Sequence, residues 1–145
     1  TRVSSSAASD VYKRQVGCAL ALEAIDIIIN EKMIENVRHL EPIFMGGLKN
    51  FEDLEFIGES RGIGLMGALE MVQDKKNKLP FDGSISIGER VANKCIENGL
   101  ICRPLGPSIV LCPPFITSEE EMGIIFDTLE KTLKEVFSEV KSLGQ

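Results

Sequence analysis

The stretch from Leu100 to Phe115, LICRPLGPSIVLCPPF, constrains this chain more than any other. Two short apolar segments flank a centre rich in proline and glycine, and Pro113-Pro114 closes the second. Proline presets φ and withholds an amide, while glycine reaches backbone angles that other residues avoid. Such a centre reverses the chain, which predicts a hairpin of Leu100–Arg103 and Ser108–Cys112. The stretch holds one cation, Arg103, which this reading places at the tip. A guanidinium is always charged, and its planar fork of donors matches a carboxylate at two points. Arg103 therefore suits an acid ligand, and it equally suits a hairpin that must stay soluble. The residues alone leave both open.

A chain of 145 residues that is 43% hydrophobic supports one ordinary core, with no second domain expected. No apolar run approaches the roughly 20 residues that span a bilayer. The net charge of −6 disfavours nucleic acid, which needs clustered cations. Lys75-Lys76-Asn77-Lys78 is the one basic cluster, and Asp74 and Asp82 beside it mark a solvated loop. Cys18, Cys95, Cys102 and Cys112 form no CxxC pair, and His39 is the only histidine, so zinc spacing is missing. Each cysteine has apolar neighbours and reads as a small core residue, and reduced thiols fit a cytoplasmic setting.

Residues 1–15, TRVSSSAASDVYKRQ, differ in texture from the rest. They are rich in Ser and Ala, lack periodicity, and read as a disordered or non-native leader resembling a cloning scar, outside the fold. Residues 16–145 form the folded unit. Val16–Asn30 is apolar nearly all round, with Leu20, Ala24, Ile27 and Ile28 on one stripe, which predicts a helix buried on most sides. Met33–Asn50 predicts a second helix with Ile34, Val37, Leu40, Phe44 and Leu48 on one face and a kink at Pro42. Phe56–Val72 reads as two strands joined by a Gly-rich bend. Ser86–Asn98 reads as an amphipathic helix stopped by Gly99. Thr117 or Ser118, with Glu120 or Glu121 three residues on, opens a last helix through a capping box. Its stripe is Met122, Ile125, Leu129, Leu133, Val136 and Val140. The order predicts an α+β fold: a small antiparallel or mixed sheet with helices packed on one face.

Gly62-Ile63-Gly64-Leu65-Met66-Gly67 matches the dinucleotide fingerprint by letter only. That motif must follow a strand and open a helix; here Glu59 and Arg61 precede it, and glycines in closely packed strands are the better reading. Arg61 reads as a second anion binder or, more readily, as a structural arginine at a strand end, paired with an acid or with carbonyls. One histidine on the polar side of a helix excludes Ser/His/Asp and Cys/His sets. No lysine has the desolvated surroundings of a Schiff-base nucleophile: Lys75, Lys76 and Lys78 are in the loop, and Lys94, Lys131 and Lys134 have easy solvent positions on helices.

From Val16 onward the chain resembles the C-terminal small domain of class III, fold-type I aminotransferases, and within them the omega-transaminases of the amine–pyruvate type. The likeness is carried by Val16-Gly17-Cys18-Ala19, Arg61-Gly62-Ile63-Gly64-Leu65 with Ala68-Leu69-Glu70, Asp74-Lys75 and Pro80-Phe81-Asp82. It continues through Gly99–Gly106, Ser108–Pro114 and the last helix. The resemblance implies pyridoxal 5′-phosphate as cofactor, amine and keto-acid substrates, and a homodimer. It places the lysine of the internal aldimine, the aspartate facing the pyridine nitrogen and most phosphate-binding groups before Val16. The family's Gly-His-Pro run gives way here to Lys13-Arg14-Gln15. The chain is thus expected to be a piece of a longer enzyme, inactive alone, with no catalytic or cofactor-binding residue of its own.

One family role carries over to this sequence. Arg103 matches the mobile arginine that grips the substrate carboxylate and swings aside for an apolar amine. Pro107 departs from the family pattern and stiffens the turn. The alternative is a non-catalytic α+β module that binds small acids.

Overall fold

The computed structural model describes the backbone of residues 5–142 and the side chains of residues 14–142. Four helices and four strands follow in the order α1 (Ser5–Asn30), α2 (Met33–Asn50), β1 (Ile57–Ile63), β2 (Met66–Met71), α3 (Ile87–Glu97), β3 (Arg103–Leu105), β4 (Ser108–Leu111) and α4 (Glu119–Ser142). The four strands form one antiparallel sheet in the order β1-β2-β4-β3. The architecture is the expected α+β class, and the sheet is wholly antiparallel rather than mixed. The chain divides into two compact units, residues 1–36 and 37–145.

In the second unit, every second residue of the central strands points into one core. Leu69 and Met71 of β2 and Ile109 and Leu111 of β4 are at most 4% exposed, as strand alternation requires. On that face lie Leu40, Phe44 and Leu48 of α2, Val91 and Cys95 of α3, and Leu129, Leu133, Val136 and Val140 of α4. Spacings of three and four residues put each set on one helix face. Phe126 of α4 stacks on Phe44 of α2 at 5.9 Å between ring centroids. Three helices thus cover one face of the sheet.

The capping box of α4 is reciprocal. Ser118 Oγ accepts from the Glu121 amide at 3.2 Å, and Glu121 Oε2 accepts from the Ser118 amide at 2.8 Å. Gly99, just past α3, has φ of 87°, the left-handed stop a glycine supplies. Helix α2 has the expected bounds and continues through Pro42.

The first unit differs from expectation in two ways. The backbone is helical from Ser5, so α1 begins within the segment expected to lie outside the fold. Ala and Ser tolerate a helix without showing apolar periodicity. Leu20, Leu22 and Ile29 are 66%, 65% and 66% exposed, so the expected burial of Val16–Asn30 is corrected. An all-round apolar pattern shows that a helix wants cover but not which surface supplies it.

Candidate functional site

Arg103 opens β3 instead of sitting at the hairpin tip, which corrects the sequence reading. The reversal is made by Gly106, at φ 58°, and Pro107. Arg103 pairs with Val110, Pro104 with Ile109 and Leu105 with Ser108. The strand starts later than expected because Leu100 is still bound to the end of α3, through its amide to the Cys95 carbonyl at 2.8 Å.

The turn is held from two sides. The Pro107 carbonyl accepts the Met71 amide at 3.1 Å, which ties the hairpin to β2. From α3, Gly88 lies beneath Gly106 so closely that a Cβ there would come 2.1 Å from the Gly106 carbonyl oxygen. The backbone under Arg103 is therefore fixed, and its freedom lies in the side chain.

The register defines what surrounds that side chain. Directly opposed residues point to the same face, so Arg103, Val110, Ala68 and Arg61 form one row across the sheet. This face is opposite the helices. By alternation Leu105 shares the Arg103 face of β3 and is 62% exposed, and Ile101, two residues before the strand, is 86% exposed. Arg103 is exposed too, and it forms no hydrogen bond or ion pair among the described residues. Arg61, at the other end of the row, is engaged as expected. Its Nη1 donates to Glu70 Oε2 at 2.8 Å and lies 3.7 Å from Glu59 Oε2. The hydrogen bond to Glu70 holds its proton more firmly than usual.

Next to this row, Ile63, Met66 and Cys112 line an apolar cavity of about 650 Å³ together with Pro113 and Phe115. Cys112 is thus exposed, and so is Cys18; the expectation that every cysteine is a core residue holds for Cys95 and in part for Cys102. Cys112 follows the inward Leu111, so alternation turns it outward. The same alternation of Arg103 and Leu105 was the available signal for an apolar neighbour, masked by two prolines. The Gly62–Gly67 run is strand, turn and strand, with Gly64 at φ 56°. A Cβ on Gly62 would meet the Met66 carbonyl oxygen at 2.5 Å, which accounts for glycine there.

His39 is exposed on α2, its Nε2 2.7 Å from Glu119 Oε1. No lysine among the described residues is buried. The half-exposed Lys94 donates to Glu97 at 2.9 Å, which raises its pKa. A Schiff-base lysine needs the opposite shift. No helix of the described residues is long and apolar enough to cross a membrane.

Comparison with known proteins agrees with this geometry. The family model of class-III aminotransferases matches residues 14–133. Among solved structures, an omega-aminotransferase from Paracoccus denitrificans is 59% identical with a TM-score of 0.84, covering 86% of this chain and 28% of its own. The PMP-bound form of an aminotransferase from Vibrio fluvialis is 58% identical with the same TM-score of 0.84, again over 86% of this chain and 28% of its own. An adenosylmethionine-8-amino-7-oxononanoate aminotransferase of Methanocaldococcus jannaschii is 36% identical over 121 residues, 83% of this chain and 26% of that protein. The chain therefore spans about a quarter of the length of such relatives. Strand pattern, glycine placement and family match converge: the chain belongs to the class-III aminotransferase family.

Proposed function

We propose that this chain is the C-terminal small domain of a pyridoxal phosphate-dependent omega-aminotransferase, and that Arg103 binds the substrate carboxylate. The observation that supports the reading is an unpaired guanidinium on the sheet face that the helices leave open, with exposed Leu105 beside it on β3 and exposed Ile101 just before that strand. Apolar flanks that lose water when the site is completed strengthen a charge-assisted bond to a carboxylate. The same flanks accept an apolar amine once the arginine has turned away. The cofactor, when bound, supplies the electron sink for moving the amino group. The described residues do not by themselves fit it, since none is a buried lysine. The full activity, its amine and keto-acid substrates and the homodimeric state belong to a longer protein, one of the length its relatives have.

The test uses the full-length enzyme. Arg103→Ala is expected to raise KM for pyruvate roughly tenfold to a hundredfold, the range for losing a hydrogen bond to a charged group. Turnover of a neutral amine should change little in the half-reaction. Equal loss in both half-reactions would remove the assigned role. The small-acid module is tested by titrating pyruvate into this chain alone, where one arginine open to water should give no measurable saturation.

A further inference from the structure

Asn98 is the one asparagine of the chain that precedes a glycine. Glycine leaves the amide nitrogen after an asparagine unshielded and its backbone free to turn. That nitrogen can attack the asparagine side-chain carbonyl, so such a pair is where an asparagine amide is most readily lost. In this fold the pair closes α3, and the Asn98 amide is tied across to α4. Its Nδ2 donates to the Thr132 hydroxyl at 2.9 Å and to Glu135 Oε2 at 3.2 Å, and its Oδ1 accepts from Lys131 Nζ at 3.4 Å. Thr132 is fully buried and donates to the Thr128 carbonyl at 2.7 Å, which leaves its oxygen to accept from Asn98.

The main chain is held as well. The Gly99 amide donates to the Ile96 carbonyl at 3.1 Å, and the Leu100 amide to the Cys95 carbonyl at 2.8 Å. At ψ 5° the Gly99 nitrogen eclipses the Asn98 nitrogen, whereas closing a ring through the side chain needs it eclipsed with Cβ. Attack therefore requires three changes together: release of the side chain from α4, loss of the Gly99 hydrogen bond, and rotation about the Asn98 Cα–C bond.

We propose that Asn98 is a deamidation site which the packing of α3 against α4 keeps closed, so that its conversion marks chains in which that packing has opened. In the opened chain the Gly99 nitrogen attacks Asn98 Cγ. The new N–Cγ bond forms, the Cγ–Nδ2 bond breaks, and the amino group leaves as ammonia with the proton of the Gly99 nitrogen. Water then opens the cyclic imide: addition at Cγ gives aspartate, and addition at the main-chain carbonyl gives isoaspartate. Water is the sole co-reactant, and nothing is oxidised or reduced. Either product opposes reclosure. A carboxylate then stands where Nδ2 met Glu135, which sets two like charges together, offset in part by Lys131. Isoaspartate also lengthens the main chain by one carbon and disturbs the Gly99 and Leu100 bonds at the exit from α3. This inference does not depend on the role proposed for Arg103.

The test incubates the whole chain in mildly alkaline buffer, folded or in urea. Conversion is followed by peptide mass, and isoaspartate is scored with a protein isoaspartate methyltransferase. The Asn98 peptide should convert roughly tenfold or more faster in urea, since several hydrogen bonds must open first in the folded chain. Thr132→Val and Glu135→Ala each remove one acceptor of the Asn98 amide. Either should raise the folded-state rate several-fold and leave the rate in urea unchanged; Glu135 is partly exposed, so its variant spares the core. Asn98→Asp should lower the urea midpoint, and adding Glu135→Gln should recover part of that loss. Equal rates in the folded and unfolded chain would overturn the proposal, as would folded-state rates indifferent to the loss of either acceptor.

Discussion

At Gly67 a single hydrogen is all the structure admits. A Cβ there would lie 2.3 Å from Leu48 Cδ1 and 2.8 Å from the Phe44 ring, both fully buried. Gly67→Ala is expected to cost about 1–3 kcal/mol by overpacking, read from the urea midpoint. Glu52 is specified by charge instead of volume. It lies 2.6 Å from Lys49 Nζ and accepts the Ser60 amide at 3.0 Å and hydroxyl at 2.6 Å. Chiefly through Lys49, these hold its pKa at about 2, below the ordinary 4.5. A lowered carboxyl contributes stability above its unfolded pKa and loses it as pH falls through the folded one. Urea denaturation across that window, from about 4.5 down to about 2, should show a loss of stability that Glu52→Gln flattens. The pairing of Arg61 was legible in kind, since Glu59 stands close in sequence, but its hydrogen-bond partner Glu70 is brought near only by the pairing of β1 with β2. The exposure of Cys112 was not, since an apolar run of four or five residues does not say which parity faces the core.

Among the elements, those with their own local signals were read well. Helix α4 announced both its start, through Ser118 and Glu121, and its buried stripe, and it adopts both except at Ile125, which is only partly buried. Ser118→Ala should cost about 1 kcal/mol by orphaning the Glu121 amide, measurable as a lower midpoint without a change of slope. Hairpin β1–β2 was legible from its glycines. Hairpin β3–β4 was legible as a reversal, and its second strand was placed to within one residue, but its first strand was misplaced by two to three, because the bond from Leu100 to α3 is made across elements and leaves no mark in the local pattern. Helix α1 exposed the limit of periodicity most plainly. Its apolar residues gave the element from Val16 on and said nothing of its surroundings.

For the molecule as a whole, the core cluster lies entirely between Leu40 and Val140. A shortened chain of residues 33–145 should therefore retain a cooperative thermal transition, checked by calorimetry. The full chain exposes Leu20, Leu22 and Ile29 on α1, Ile63 and Met66 on the sheet face away from the helices, and Ile101 just before β3. Apolar surface of that extent favours association, so light scattering should show concentration-dependent growth that the shortened chain reduces. The α+β class followed from element order, whereas the placement of Arg103 among apolar neighbours needed the register. The strand order β1-β2-β4-β3 also bears on how the chain reaches this state. Each outer pair is a local hairpin, but the central seam joins Gly67–Glu70 to Ser108–Leu111 across the intervening loop and α3. Local hairpins form in about 1–10 μs, while a seam between distant strands waits on closure of the long loop. The slow step in folding is therefore the meeting of β2 with β4, and substitutions at Ala68 or Val110 should act on the folding rate more than those at either turn.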